Sequence, residues 1–308
     1  MTESSAGAAG HHVSVLPDEV LQYLDARPGQ VIVDATTGAA GHARLIASAV
    51  APTGRLIALD QDSRMLDLAR GKLEGLPATL VHASFAELPR VLAELGLKEV
   101  DGVLADLGIC SDQLDDAARG FSFGRDGPLD MRMNADEGEP ASDLIHRLTE
   151  RDLADLIYEF GEERFSRRIA KRIVELRHKE PIETTKQLAA IVRRCVPRSP
   201  RKPGIDPATR VFQALRIAVN GELSALDHLL EDLPNVLRPG GRAVLISFHS
   251  LEDRRVKQAF ADTNLWDRLT RKPVVASPRE MHDNPRSRSA KLRAARRLTN
   301  EPPFDPRT

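Results

Sequence analysis

Four short apolar runs separated by helix-like segments constrain this chain more than any other feature. Val31-Ile32-Val33 stops at Asp34 and a glycine-bearing loop. Arg55 to Leu59 ends at Asp60, Thr79-Leu80-Val81 follows, and Val103-Leu104-Ala105 ends at Asp106. Ala43 to Val50, Ser63 to Leu73 and Phe85 to Leu95 carry helical patterning between them. Continuous apolar strands alternating with helices predict a parallel sheet covered on both faces. From Asp112 to about Pro207 strand signals stop. Leu153, Leu156, Ile157 and Phe160 repeat at helical spacing behind Thr149-x-x-Asp152, and Leu188, Ile191, Val192 and Cys195 do so behind Thr184-x-x-Gln187. Pro197, Pro200, Pro203, Gly204 and Pro207 then impose a loop. A helix stripe (Val211, Ala214, Leu215, Ala218, Val219), a turn at Pro239-Gly240-Gly241 and a fifth strand, Ala243 to Ser247, resume the first pattern. The expected fold class is α/β: a Rossmann-like parallel sheet built from residues 11–111 and 208–300, with an all-helical insertion at 112–207 and a disordered tail at 1–10.

Composition narrows the class. Hydrophobic residues make up 41% of 308, enough for a packed core. No apolar run approaches the roughly 18–20 residues of a bilayer span, so no membrane partner is expected. The first twenty-six residues hold no Lys or Arg and no apolar block, so no secretory signal is expected. Two cysteines, Cys110 and Cys195, make neither a disulfide framework nor a metal cluster; a cytoplasmic setting and no metal are expected. The net charge of -1 conceals an uneven distribution. Residues 1–163 carry 13 basic and 29 acidic side chains, whereas 164–216 carry 15 and 4. Concentrated basic stretches on a near-neutral chain point to a polyanionic partner.

Five constellations carry candidate chemistry. Asp34 to His42 follows the first strand, and Gly38 and Gly41 let a ligand approach the backbone at the carboxyl edge of the sheet. Its spacing is not Gly-x-Gly-x-x-Gly, which argues against a dinucleotide dehydrogenase. Asp60, ending the second strand, can accept from both hydroxyls of a ribose, with Asp62 as the helix cap. Asp106 to Asp115 follows the fourth strand and contains Gly108 and Cys110; no basic neighbour marks Cys110 as a nucleophile. Ser247 to Arg255 offers a Ser/His pair without the nucleophile elbow, so a polar substrate-facing loop or a helix cap is the better reading. Arg164, Arg167, Arg168, Lys171 and Arg172 fall on one helix side, opposite Phe165, Ile169, Ile173 and Leu176. With Arg193, Arg194, Arg198, Arg201 and Lys202 they form a candidate phosphate-contacting surface.

These segments coincide with a known pattern. From His12 to about Asn300 the chain resembles the RsmH (MraW) family, S-adenosylmethionine-dependent N4-cytosine methyltransferases of bacterial small-subunit ribosomal RNA. The resemblance rests on His12 to Leu16, Asp34 to His42, Asp106 to Asp115, Arg119 to Phe123, Gly127 to Met133, Gly161 to Phe165, Ala208 to Ile217 and Ser247 to Arg254. It implies a class I methyltransferase sheet with S-adenosyl-L-methionine as cofactor. Gly38, Ala40, Gly41 and His42 would line the methionine end, Asp60 would hold the ribose, Phe85 would pack near the adenine, and Asp106 and Gln113 would complete the pocket. Asp106 is the first choice to accept an amine proton, and Ser247 and His249 are the next candidates for substrate contact or proton removal. Phe121 and Phe123 would pack on an unstacked base or in the core. Cys110 stands where the family usually has Ser. The implied partner is 16S rRNA or the small ribosomal subunit, gripped by the insertion. The Arg-rich end (Arg286, Arg288, Lys291, Arg293, Arg296, Arg297) would assist or form an edge strand. The oligomeric state stays open, with a homodimer as one form.

Two other readings share parts of this pattern. A DNA amino-methyltransferase typically carries Pro-Pro-aromatic after the fourth-strand Asp, where this chain has Leu107-Gly108-Ile109. An RNA-binding ribosome-assembly factor with a methyltransferase-like fold predicts binding without transfer.

Overall fold

A computed structural model describes residues 14–197 and 206–299. The expected tail at 1–10, His12 and Val13 of the resemblance, and Arg198, Arg201 and Lys202 lie outside the described residues. Seven strands form one sheet: β1 (Val31–Asp34), β2 (Arg55–Asp60), β3 (Ala78–His82), β4 (Val100–Asp106), β5 (Leu237–Ser247), β6 (Trp266–Arg268) and β7 (Lys291–Arg297). Their spatial order is β3-β2-β1-β4-β5-β7-β6. The first five run parallel, while β7 is antiparallel to both β5 and β6. The purely parallel sheet of the sequence reading is thus corrected at one margin.

The Arg-rich C-terminal segment is not an edge, because β6 covers it. Leu292, Ala294 and Ala295 supply its apolar contacts, and Arg293 is buried against Asp253 at 2.7 Å. The expected turn at Pro239–Gly241 is an irregular start to β5. Pairing skips from Val100–Leu237 to Gly102–Arg242 there.

Alternate strand residues separate into two apolar layers, as strand geometry requires. Ile32, Leu56, Ala58, Leu104, Val244 and Ile246 pack on one face, with α1 (Pro17–Leu24) and α2 (Gly41–Val50). Val33, Ile57, Leu59, Val103, Ala105 and Leu245 pack on the other. That face meets α4 (Leu88–Glu94) and α11 (Glu222–Val236); α3 (Ser63–Lys72) flanks β2 and β3. Two of these helices were not expected from the sequence. α1 is only eight residues long, and α11 carries Pro234 in its last turn.

A short α5 (Ser111–Asp115) leads into the helical region. There α6 (Ala141–Arg147), α7 (Glu150–Gly161), α8 (Ser166–Arg177), α9 (Thr185–Cys195) and α10 (Pro207–Asn220) enclose a separate apolar cluster. The expected caps form: Thr149 accepts from Asp152 N–H, and Thr184 and Gln187 make a reciprocal box. The boundary drawn at 207/208 falls just ahead of α10, yet Ala208, Val211, Phe212 and Leu215 of that helix are buried in the helical cluster. By packing, α10 sides with the insertion and returns the chain to the sheet. The structure closes with α12 (Ser250–Ala259) and α13 (Pro278–Asp283).

Candidate active site

The carboxyl ends of β1, β2 and β4 open onto a cleft. This is the edge where ligands of open α/β sheets bind. Gly38, Gly41, His42, Asp60, Phe85, Asp106 and Gln113 all line it. Gly38 sits at φ +50 and Gly108 at φ +98, left-handed conformations that suit glycine and keep side chains off the cleft floor. The loop after β1 is pinned from two sides. Gly38 N–H donates to Asp60 Oδ2 at 2.7 Å, and Lys72 Nζ donates to Ala39 O at 2.8 Å.

Ala40 is placed differently from its neighbours. It takes φ +64, is buried, and belongs to the apolar layer beneath the loop rather than to the cleft lining. Gln113 reaches the cleft, but both ends of its amide are engaged. Its oxygen accepts from Cys110 N–H at 3.0 Å and its nitrogen donates to Asp62 Oδ2 at 2.8 Å. It braces the wall. Asp62 caps α3 as expected and also accepts from Arg119 Nη1 at 2.6 Å, so one carboxylate ties sheet to insertion. Cys110 Sγ lies 3.3 Å from Met65 Sδ, and burial pushes its thiol up to about 11, which fits no nucleophilic role.

Carboxylates dominate the cleft electrostatics. Burial, with Asp60 adding like charge, raises Asp34 to about 7 against the opposing Thr36 N–H. Burial also raises Asp60 to about 6. Burial, then Asp34 and Glu252, push Asp106 well above the usual carboxylate range. Asp106 N–H donates to Thr36 Oγ1 at 2.6 Å, which joins the ends of β1 and β4. Asp106 Oδ1 has no hydrogen-bond partner among the described residues, and Oδ2 is 3.7 Å from His42 Nε2.

The two remaining candidates lie behind the cleft wall. Ser247 is buried, with its hydroxyl 3.3 Å from Lys291 O. His249 caps α12: Nδ1 accepts from Glu252 N–H at 3.4 Å, while Nε2 faces Glu252 Oε1 at 3.1 Å. Glu252 lines the cleft, so His249 orients a carboxylate that the sequence reading passed over. Burial raises Glu252, but His249, Arg216 and the Phe248 N–H outweigh it and hold the carboxyl low. The helix-cap reading of this motif fits the geometry. Its visible signal was the spacing His249-x-x-Glu252, a capping box with His in place of Ser or Thr. Thr36, Met133, Asn220, Glu222 and Phe248 also line the cleft, and none was named as a site residue from the sequence.

Glu222, His249 and Glu252 bring ligand-type atoms within 4.8 Å of one another. The geometry favours a hydrogen-bond network over a metal. Arg216 occupies both oxygens of Glu222 at 2.7 and 2.8 Å. His249 Nδ1 is an acceptor, which places the ring proton on Nε2.

Phe121 is buried in the helical cluster, and Phe123 packs edge-on against Phe212 with centroids 4.9 Å apart. Neither lines the cleft. Arg164, Arg167, Arg168 and Lys171 are exposed, and Arg172 pairs with Glu175. Of the C-terminal arginines, Arg286 lines the cleft mouth and reaches Asp115 at 3.1 Å. Arg296 pairs with Asp267 and Arg297 with Glu99.

The profile of the MraW methylase family matches residues 9–298. The chain belongs to the MraW methylase family. The ribosomal RNA small subunit methyltransferase H of Sorangium cellulosum is 52% identical over 289 residues, covering 93% of this chain and 91% of that protein. The protein of the same name from Geobacter sulfurreducens is 50% identical over 307 residues, covering 93% and 99%. Among solved structures, an rRNA methylase from Streptococcus thermophilus is 10% identical with a TM-score of 0.43, covering 92% and 94%. In this MraW methylase the cleft sits on a seven-stranded sheet with the helical region beside it.

Proposed function

We propose that this MraW methylase transfers a methyl group from S-adenosylmethionine to the exocyclic N4 of a cytidine in the decoding region of 16S rRNA within the small ribosomal subunit. The observation that carries this reading is Asp106: a largely desolvated carboxylate in a cleft, with one oxygen unpartnered and glycine-floored space beside it. S-adenosylmethionine, when bound, supplies a methyl group on a cationic sulfur. The residues present suit it. Asp60 offers acceptors to a ribose, Phe85 an apolar face, and Gly38 and Gly41 open backbone.

The exocyclic amine of cytosine is a weak nucleophile, because its lone pair is delocalised into the ring. Asp106 would accept a hydrogen bond from that amine, localise the lone pair and aim it. Glu252, steadied by His249 and Arg216, would hold the same amine from the α12 side. Phe248 and Met133 would shield the base from water. Ser247 would act only through the β5–β7 pairing, and His249 as the orienter of Glu252. The insertion, 112–207 with α10, would contact RNA phosphates through the exposed cations of α8. A cytoplasmic setting belongs to this reading. Among the described residues, no helix is long and apolar enough to cross a membrane.

The test is labelled methyl transfer to small subunits lacking the modification, followed by nucleoside analysis. Label on N4-methylcytidine is expected. Label on carbon-5 of cytosine or on adenine overturns the assignment, and binding without transfer points to an assembly factor.

A further inference from the structure

The cleft edge of the sheet holds more negative charge than its own side chains answer. We propose that the carboxylates ending β1, β2 and β4 sense the charge of the methyl donor, favouring the cationic sulfonium through their combined field, with Asp34 acting from behind the cleft lining, and taking up a proton when the neutral thioether product replaces it. This rests on the methyl-transfer reading above.

Asp34, Asp60 and Asp106 end three neighbouring strands. Asp34 is 1% exposed; Oδ1 accepts from Thr36 N–H, and Oδ2 has no hydrogen-bond partner among the described residues. Asp106 Oδ1 has none either. The groups facing this set are His42 from α2, at 3.7 Å from Asp106, Glu252 from α12, and Asp62 and His82 beside Asp60. The stronger cations nearby are committed elsewhere. Arg216 holds Glu222, Arg119 holds Asp62, Arg286 reaches Asp115 and Lys72 donates to Ala39 O. Burial holds Asp34 at about 7 and Asp60 at about 6, so these two titrate near neutrality, and burial also lifts Asp106 well above the usual carboxylate range. A fixed positive charge favours its ionised form, and removing that charge draws a proton back.

The reaction supplies that proton. The N–C bond forms as the C–S bond breaks, and the C–S electron pair stays on sulfur, which becomes neutral. The amine nitrogen gains the positive charge and sheds one proton. Asp106 is placed to keep it, so the net charge of the cleft is the same before and after transfer. The product then sits beside one carboxyl that has gained a proton, and its departure does not strip a cation from the acidic cleft.

S-adenosylmethionine and S-adenosylhomocysteine share every group except the sulfonium methyl, which makes them a matched pair of probes. Titration calorimetry of the full chain near neutral pH, in two buffers of different ionisation enthalpy, counts the protons each ligand moves. The donor is expected to release about one proton more than the product. Its affinity advantage is expected to rise by up to ~10-fold per pH unit through the range where the carboxyls titrate. Equal proton counts for the two ligands overturn the proposal and leave methyl transfer standing. Failure of both to bind overturns the methyl-transfer reading instead. Asp34→Asn adds a second measurement: it is expected to narrow the donor's advantage, and an unchanged proton difference in a folded variant removes Asp34 from the sensing set.

Discussion

The sheet and the helical insertion are both packed around apolar clusters, but they handle charge in opposite ways. At the sheet edge, buried Asp34 and half-buried Asp60 and Asp106 sit close together and are lifted above their usual range, chiefly by desolvation. On the insertion, Arg167, Arg168 and Lys171 of α8 stay in water, and Arg172 pairs with Glu175 within one turn. Desolvation makes a charge chemically responsive, whereas solvation keeps it available to a distant polyanion. The difference separates reaction from recognition. It also shows why Arg119–Asp62 is unusual: it is a buried ion pair at the seam, with both side chains less than one-tenth exposed.

Asp106→Ala breaks the comparison most directly. It is expected to lower single-turnover methyl transfer by ~10²–10⁴-fold. RNA affinity, measured by filter binding, is expected to stay unchanged. Asp62→Ala attacks the seam. It strands Arg119 without its carboxylate and is expected to cost about 3–5 kcal/mol in chemical denaturation. If the two halves unfold as one unit, a single transition moves; if not, two transitions separate.

Removing the cations of α8 together, Arg167→Ala with Arg168→Ala and Lys171→Ala, sharpens the recognition side. RNA affinity is expected to fall by about tenfold or more at moderate salt, with a shallower salt dependence. S-adenosylmethionine affinity should not move. If methyl-donor binding falls in parallel, recognition and reaction are not separate.

Acidity offers a smaller, ligand-free test. Asp34 and Asp60 bind protons more tightly in the folded chain than at the ordinary aspartate value of 3.8, so the folded chain holds more protons than the unfolded one between those limits. Their contribution is therefore present at low pH and is lost as pH rises toward about 6 and about 7. Glu252 works the other way, but only near and below the ordinary value of 4.5, at the acid end of this window. Melting of the ligand-free chain is expected to drop by roughly 2–8 °C across that range, and S-adenosylmethionine should restore it. The smallest effect belongs to Arg286→Ala. It removes a half-exposed pair with Asp115 at the cleft mouth and is expected to change stability by less than ~1 kcal/mol.

Much of the frame was legible because its causes are local. Strand runs such as Arg55 to Leu59 alternate between two buried layers, and the caps Asp62, Thr149 and Thr184 act within three residues. The acidic strand ends could be picked out for the same reason, since chain direction alone puts them on the ligand edge. Glu252 and Asn220 were not legible as cleft residues, because the first gets there through an unusual cap and the second through partners distant in sequence. Asn220, for instance, holds Met131 O and Met133 N–H, 89 and 87 positions away.

By itself the sequence determined the layered α/β frame, the interruption by helices, and the three aspartates at the strand ends. Periodicity and strand polarity follow from neighbouring residues. Tertiary structure decided that β7 runs inside the sheet, that α10 packs with the insertion, and that Ser247, His249, Phe121 and Phe123 stand behind the walls. It also decided how far the carboxyls lose their water. Desolvation depends on everything packed around a group, and no stretch of chain contains that information alone.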